Sequence, residues 1–402
     1  VSEKREENRT ESGAAGESPQ RKELLPFCLP TIGQAEKQEV LSVLDSGWLT
    51  AGAVTTRFED QLMRYLGADH VIAVSSCTAA LHLSLLALGV GPGDEVAVPS
   101  FTFCSTVNVI IHCGAKPLFI DISPQSYTLD PEDLEQKLTE RTKAVMPVHY
   151  AGYPCDMKAI LSIARKRGSF VIEDAAHALG ARYFDSMIGA IGDATCFSFY
   201  PTKTITTGEG GALSTNDGDL AQRARLLSLH GMTRDAWERY TSSKTWQYKV
   251  EVPGYKYNMT DIEAALGTRQ LDRIEEFLGA RERLWDAYVR ELAPVAEVTT
   301  PSLPRQGRHA RHLFPVLLGD CANLTRDELL HRLRTENIGT SVHFYPVHMQ
   351  PYYRDCCPGV SLPVTEDIYG RIFSLPLYPR MTERDVSDVV RALQRSLAGG
   401  RS

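Results

Sequence analysis

Three short segments of this 402-residue sequence carry residue types that could do chemistry together. VSSCTAALHL (74–83) follows an apolar, β-branched run and opens a helical one. Ser76, Thr78 and small neighbours at a helix start leave backbone N–H groups without helical acceptors, which suits an anion. An ordinary Ser/Thr helix cap is the plainer reading of the same residues. VIEDAAHALGA (171–181) ends an apolar run with Glu173 and Asp174. A carboxylate there loses hydration unless it is paired, so it either caps the next helix or faces a cation. CFSFYPTKTITTGEGG (196–211) puts Lys203 in a loop rich in Ser, Thr and Gly, just past a third apolar run. Taken alone, such a lysine is a solvated surface charge.

Their order changes the reading. An anion cup, a strand-ending acid and a downstream lysine are the three parts that a pyridoxal 5'-phosphate site requires. The cofactor's aldehyde needs an amine to hold it as a Schiff base. Its pyridine ring accepts electrons best when the ring nitrogen is protonated, and a carboxylate within ~4–6 Å favours that charged form. Its phosphate needs N–H and hydroxyl donors. The protein contributes position and electrostatics, and the cofactor contributes the electron sink.

The surrounding pattern predicts the elements that would position these groups. HVIAV (70–74) precedes a helical run from about Ala79 to Leu88, and EVAVP (95–99) precedes one from about Ser105. KPLFID (116–121) precedes PEDLEQKL, and KAVMPVH (143–149) precedes an amphipathic run from Asp156 to Lys166. FVIED (170–174), ATCFSF (194–199) and GALST (211–215) follow. Apolar runs separated by helices predict a mainly parallel sheet covered on both faces. All three chemical segments then sit at strand ends, where open α/β sheets bind ligands. A helical stretch from about Thr260 to Leu292 leads to a C-terminal region with its own strand, HLFPVLL (312–318), and a terminal helix over 383–397. The expected division is a disordered tail over 1–23, a large domain over 24–265 and a small α/β domain over 266–402.

Composition narrows the class. The net charge of −7 gives no nucleic-acid footprint. Nine cysteines, none in CxxC spacing, read as reduced thiols of a cytoplasmic protein rather than a disulfide framework or a metal site. No apolar run approaches the ~18–20 residues of a membrane helix, and the polar first residues predict no secretory signal.

From about Leu24 to Ala398 the chain resembles the DegT/DnrJ/EryC1/StrS family of sugar aminotransferases. The resemblance rests on SGWLTAG (46–52), VSSCTAALHL, DEVAVPSFTFCST (94–106), PVHYAG (147–152), VIEDAAHALGA, SFYPTKTITTGEGGALST (198–215), PGYKYNMTDIEAALG (253–267) and HFYPVHMQPYY (343–353). It implies the fold of type I pyridoxal-phosphate enzymes, similar to aspartate aminotransferase. It implies Lys203 as the amine that tethers the cofactor and shuttles the proton, and Asp174 as the partner of the pyridine nitrogen. His177 is then expected near the ring's oxygen side, and Phe103 stacked on the ring. Thr78, Ala79 and Ser198 are expected on the phosphate. Asn258 is expected to reach the phosphate of a neighbouring subunit, which makes an obligate homodimer with shared sites. The implied reaction moves the amino group of glutamate onto a nucleotide-linked keto-sugar, at C4 by preference. Trp48, His343 and Tyr345 are candidate contacts for the sugar's diphosphate.

Two positions depart from the pattern. Tyr200 stands where many relatives have His. The closest branch is similar to the enzymes that make UDP-linked amino-arabinose, but there Arg is expected at the position of Tyr345. Two rivals share much of the sequence evidence: an aminotransferase of a keto-cyclitol, and a catalytically inactive regulatory protein on the same fold.

Overall fold

The computed structural model describes residues 19–233 and 248–398, so residues 1–18 of the expected tail lie outside it. Helices α1 (Gln34–Ser46) and α2 (Ala53–Leu66) precede the first strand. An alternating series follows: β1 (His70–Val74), α3 (Cys77–Ala87), β2 (Glu95–Pro99), α4 (Cys104–His112), β3 (Lys116–Ile120) and α5 (Pro131–Lys137). It continues with β4 (Thr142–Val145), α6 (Met157–Lys166), β5 (Phe170–Asp174), β6 (Ala194–Ser198), β7 (Gly211–Thr215) and α7 (Gly218–Ser228).

The seven strands form one sheet in the order β1-β7-β6-β5-β4-β2-β3. All neighbours are parallel except β7, which runs antiparallel to both β1 and β6. Side chains alternate between two buried faces, as a doubly covered sheet demands. Ile72, Val74, Val96 and Val98 pack under α3 and α4, while Val71, Ala73, Ala97 and Val145 pack under α2, α5 and α6. The strand expected over 143–149 stops at Val145. Pro147 has no N–H for the ladder. The chain still tracks the sheet edge, because Asp174 N–H donates to Pro147 O at 2.9 Å.

The single helix expected over 260–292 is two, α8 (Asp261–Asp272) and α9 (Ile274–Leu292), broken at Arg273. Helix α8 begins with a capping box, Thr260 and Glu263 serving each other's N–H groups. Arg273 then pairs with Glu36 of α1 at 3.1 Å and with Glu276 at 2.9 Å, and turns the chain toward the second core. Ile274, Phe277 and Leu278 belong to the large core, and Leu284, Trp285 and Tyr288 to the small one. The two cores therefore exchange within α9.

The C-terminal part holds β8 (Val298–Thr299), β9 (Phe314–Leu318), α10 (Arg326–Thr335), α11 (Pro351–Cys356), α12 (Pro363–Arg371), β10 (Ile372–Leu375) and α13 (Glu383–Ala398). Its three strands pair antiparallel in the order β8-β9-β10. Ordered chain begins before Leu24: Gln20 and Arg21 bond to Glu336, Asp385 and Asp388 at 2.6–3.1 Å. Composition marked these residues as tail, but carboxylates on α13 and after α10 supply the partners. Among the described residues, no helix is long and apolar enough to cross a membrane.

Candidate active site

The carboxyl ends of β1, β2, β5 and β6 open onto one cleft of about 550 Å³ between the two cores. That volume lies within the ~300–1,000 Å³ typical of small-molecule sites. Asp174 ends β5 on its floor and is buried. Thr106 of α4 donates to its Oδ2 at 2.7 Å, and the N–H of Ala176 donates to Oδ1 at 3.1 Å. Both bonds fix its orientation. Glu173 points to the opposite face. It is fully buried and bonded to His149 at 2.8 Å, Thr195 at 2.8 Å and the N–H of Gly192 at 2.7 Å. Strand alternation thus gives one acid to the cleft and the other to the core.

Lys203 reaches the same cleft from the loop after β6. Phe199 and Ile205 anchor that loop in the large core. Phe199 O accepts from Thr207 N–H at 3.0 Å and from Thr206 Oγ1 at 2.9 Å. The loop therefore closes on itself and throws Lys203 inward. The residue is half-buried. Lost hydration outweighs the attraction of Asp174 and pulls its pKa down from 10.5 to about 8.

Neutral imidazoles complete this wall. His177 is buried, and its Nδ1 accepts the N–H of Ala151 at 3.2 Å, so Nε2 carries the proton. Burial holds its pKa well below the usual value, and the nearby Lys203 adds to that. Its ring stacks on Phe344 at 5.7 Å and lies 4.4 Å from His312. Burial also pulls His343 down to about 3; its Nδ1 lies 3.0 Å from Ser374 Oγ.

The start of α3 forms the third side. Ser76 is its N-cap, accepting the N–H of Ala79 at 3.0 Å. Thr78, the second helical residue, has an N–H with no helical acceptor and lines the cleft with Ser76 and Ser198. Gly211 lies beneath them. A Cβ there would stand 2.4 Å from Ser76 C, 2.5 Å from Cys77 N and 2.6 Å from Phe197 O. Only glycine lets β7 pass this close to the helix start.

An amine, an acid bonded at both oxygens, a helix start with hydroxyls and the 59% exposed ring of Phe103 converge on one space. That donor set fits pyridoxal 5'-phosphate. Of the residues singled out from sequence, Lys203, Asp174, His177, Phe103, Thr78, Ser198, His343 and Tyr200 line the cleft. Four others do not. Ala79 is buried, and its N–H is taken by Ser76. Trp48 Nε1–H donates to Ala51 O at 3.2 Å, in a loop fixed by Asp261. Tyr345 turns away, its hydroxyl donating to Met349 O at 3.3 Å and its ring packing on Tyr369. Asn258 pairs in a bridge with Val74 and accepts from Lys256 at 2.5 Å.

Sequence reasoning did not single out Thr106, Phe344, His312, Phe27 or Cys28. Thr106 had a usable signal, a hydroxyl in the first turn of a helix that follows a strand end. Phe344 neighbours His343 in a segment that carries the resemblance, whereas His312, Phe27 and Cys28 come from distant segments with no local pattern that marks them.

Comparison with known proteins gives a consistent picture. The model of the DegT/DnrJ/EryC1/StrS aminotransferase family matches residues 30–394. The chain is 49% identical over 383 residues to the spore coat polysaccharide biosynthesis protein SpsC of Bacillus subtilis (strain 168), covering 94% of this chain and 98% of the relative. Among solved structures it is similar to the putative sugar aminotransferase Spr1654 from Streptococcus pneumoniae in its PMP form. That match has a TM-score of 0.88 and 31% identity, covering 94% of this chain and 100% of that one. It is also similar to DesI, solved in the presence of its TDP-sugar product, with a TM-score of 0.85 and 32% identity over 97% of this chain and 95% of that one.

Proposed function

The chain belongs to the DegT/DnrJ/EryC1/StrS aminotransferase family, and from that premise we propose that it transfers the amino group of glutamate to a nucleotide-linked keto-sugar, at C4. It is a pyridoxal-phosphate-dependent sugar aminotransferase. The observation that carries the reading is one cleft in which a desolvated Lys203 amine faces a buried, doubly bonded Asp174.

When bound, the cofactor supplies the electron sink for the bond that is broken at the donor carbon. Lys203 Nζ, its pKa drawn down to about 8, would hold the cofactor's aldehyde and take up and return the proton. Asp174 keeps the ring nitrogen charged. His177, with its proton held on Nε2, would donate toward the ring's oxygen side. Thr78 and Ser198 would hold the phosphate, and Phe103 would offer its ring to the cofactor's. DesI, whose structure contains a TDP-sugar product, supports a sugar nucleotide as acceptor. Asn258 acts in the partner's site of a homodimer, consistent with its lying outside this chain's cleft. A cytoplasmic location belongs to the same reading, since all nine cysteines are free.

The test is a panel of TDP- and UDP-linked keto-sugars with glutamate, read by mass spectrometry. The proposal expects one amino-sugar nucleotide with equimolar 2-oxoglutarate. Turnover of a keto-cyclitol alone would replace the acceptor. No turnover of any member by cofactor-loaded protein would favour an inactive binding role.

A further inference from the structure

We infer that the segment from Gln20 to Cys28 is a clamped strap whose tip, Phe27 and Cys28, forms the sugar-binding wall of the cleft. This rests on the aminotransferase reading above and assigns the acceptor's place within it. The strap is held along its length. Arg21 Nη1 bonds both Asp385 and Asp388 of α13 at 2.7 Å, and its carbonyl accepts from Asn337 Nδ2 at 2.8 Å. Leu25 pairs with the chain after α10: its N–H donates to Asn337 O at 2.9 Å, and its carbonyl accepts from Gly339 at 2.8 Å. Gly339 is needed there, because a Cβ would stand 2.7 Å from Phe27 N and 2.8 Å from Leu25 O. Beyond this anchor the strap crosses to the large domain. The Phe27 ring lies 5.3 Å from that of His343, and Cys28 Sγ lies 3.6 Å from Thr202 O, one residue before Lys203.

The cofactor-facing groups come from the large domain, and the opposite wall from the strap, Phe344, Leu375 and Leu377. The wall's lining side chains are apolar or neutral: burial raises the Cys28 thiol above its ordinary value, against the pull of the nearby Arg281 guanidinium. A carboxylate of the donor loses hydration against Phe27, Phe344, Leu375 and Leu377, none of which can pair with it. The C–H face of a sugar ring does not, and an aromatic ring gives it a large contact area. Phe27 is thus a contact for the acceptor sugar, and Arg21 is a positioning residue that acts through the strap.

The two halves of a ping-pong reaction separate these roles. Cofactor-loaded full-length protein is mixed with glutamate alone, and the loss of its visible band is timed. The aminated form is then mixed with a TDP-linked 4-keto-hexose, and the band's return is timed. Equilibrium binding of the same TDP-sugar is measured by calorimetry. Phe27→Ala is expected to lower the ratio of acceptor to donor kcat/KM about tenfold and to weaken TDP-sugar binding by a similar factor. Arg21→Ala should move both readouts in the same direction, and Arg21→Lys should restore part of the loss. Equal losses in both halves, or unchanged TDP-sugar binding in Phe27→Ala and Arg21→Ala, would overturn the assignment. If wild-type protein shows neither half-reaction, the aminotransferase reading itself fails, and this inference with it.

Discussion

Asp174 owes its position to Thr106 as much as to its strand, since the hydroxyl at 2.7 Å orients the carboxylate toward the cleft. Asp174→Ala should lower turnover about a thousandfold or more while the fold persists, because it removes the charge that stabilises the protonated ring. Steady-state rates with melting curves test this, and a loss below tenfold would contradict the charge pairing. Lys203 sets a pH dependence. Its pKa is depressed, so the protonated, non-nucleophilic form dominates below about pH 8. Cofactor uptake by cofactor-free protein, followed at the visible band, should rise about tenfold per pH unit below that value and level off above it. A rise that continues to pH 10.5 would mean that the amine is solvated. Lys203 and Asp174 were legible in sequence because each follows an apolar run and the chemistry demands both. Tyr345 directs its hydroxyl to Met349 O, and residue type alone does not tell which way a loop side chain turns.

Helix α3 and strand β7 together make the anion cup, and each can be disturbed alone. Ser76→Ala removes the cap on Ala79 and should destabilise by about 1 kcal/mol, with weaker cofactor retention. Gly211→Ala should be worse, because its Cβ meets backbone at 2.4 Å and no side chain can yield. Dialysis of loaded protein should strip cofactor from Gly211→Ala far faster than from wild type; equal retention would mean that the cup does not hold the phosphate. The strands were legible from their apolar runs, which follow from burial on both faces. The reversed direction of β7 was not, since GALST reads alike in either direction. Nor was the break at Arg273, whose ion pair with Glu36 spans more than two hundred residues.

Among the described residues, the cores beside the seven-stranded and three-stranded sheets both draw on α9, and the N-terminal strap bonds to α13 and to the loop of Lys203. The tail boundary was drawn on composition, and the ion pairs of Arg21 with α13 lay beyond any local pattern. The same holds for His312, which tertiary packing brings to the cleft that Lys203 lines. If sites are shared between subunits, Lys203→Ala and Asn258→Ala proteins, each impaired alone, should regain about a quarter of wild-type activity after mixing and exchange. No gain would place Asn258 in its own chain's machinery. The most direct test of the whole account is reduction of the coloured, loaded protein with borohydride, followed by peptide mass mapping. The account predicts a bleached solution and a single phosphopyridoxyl group on the peptide that contains Lys203. A label on another lysine, or none, would contradict it.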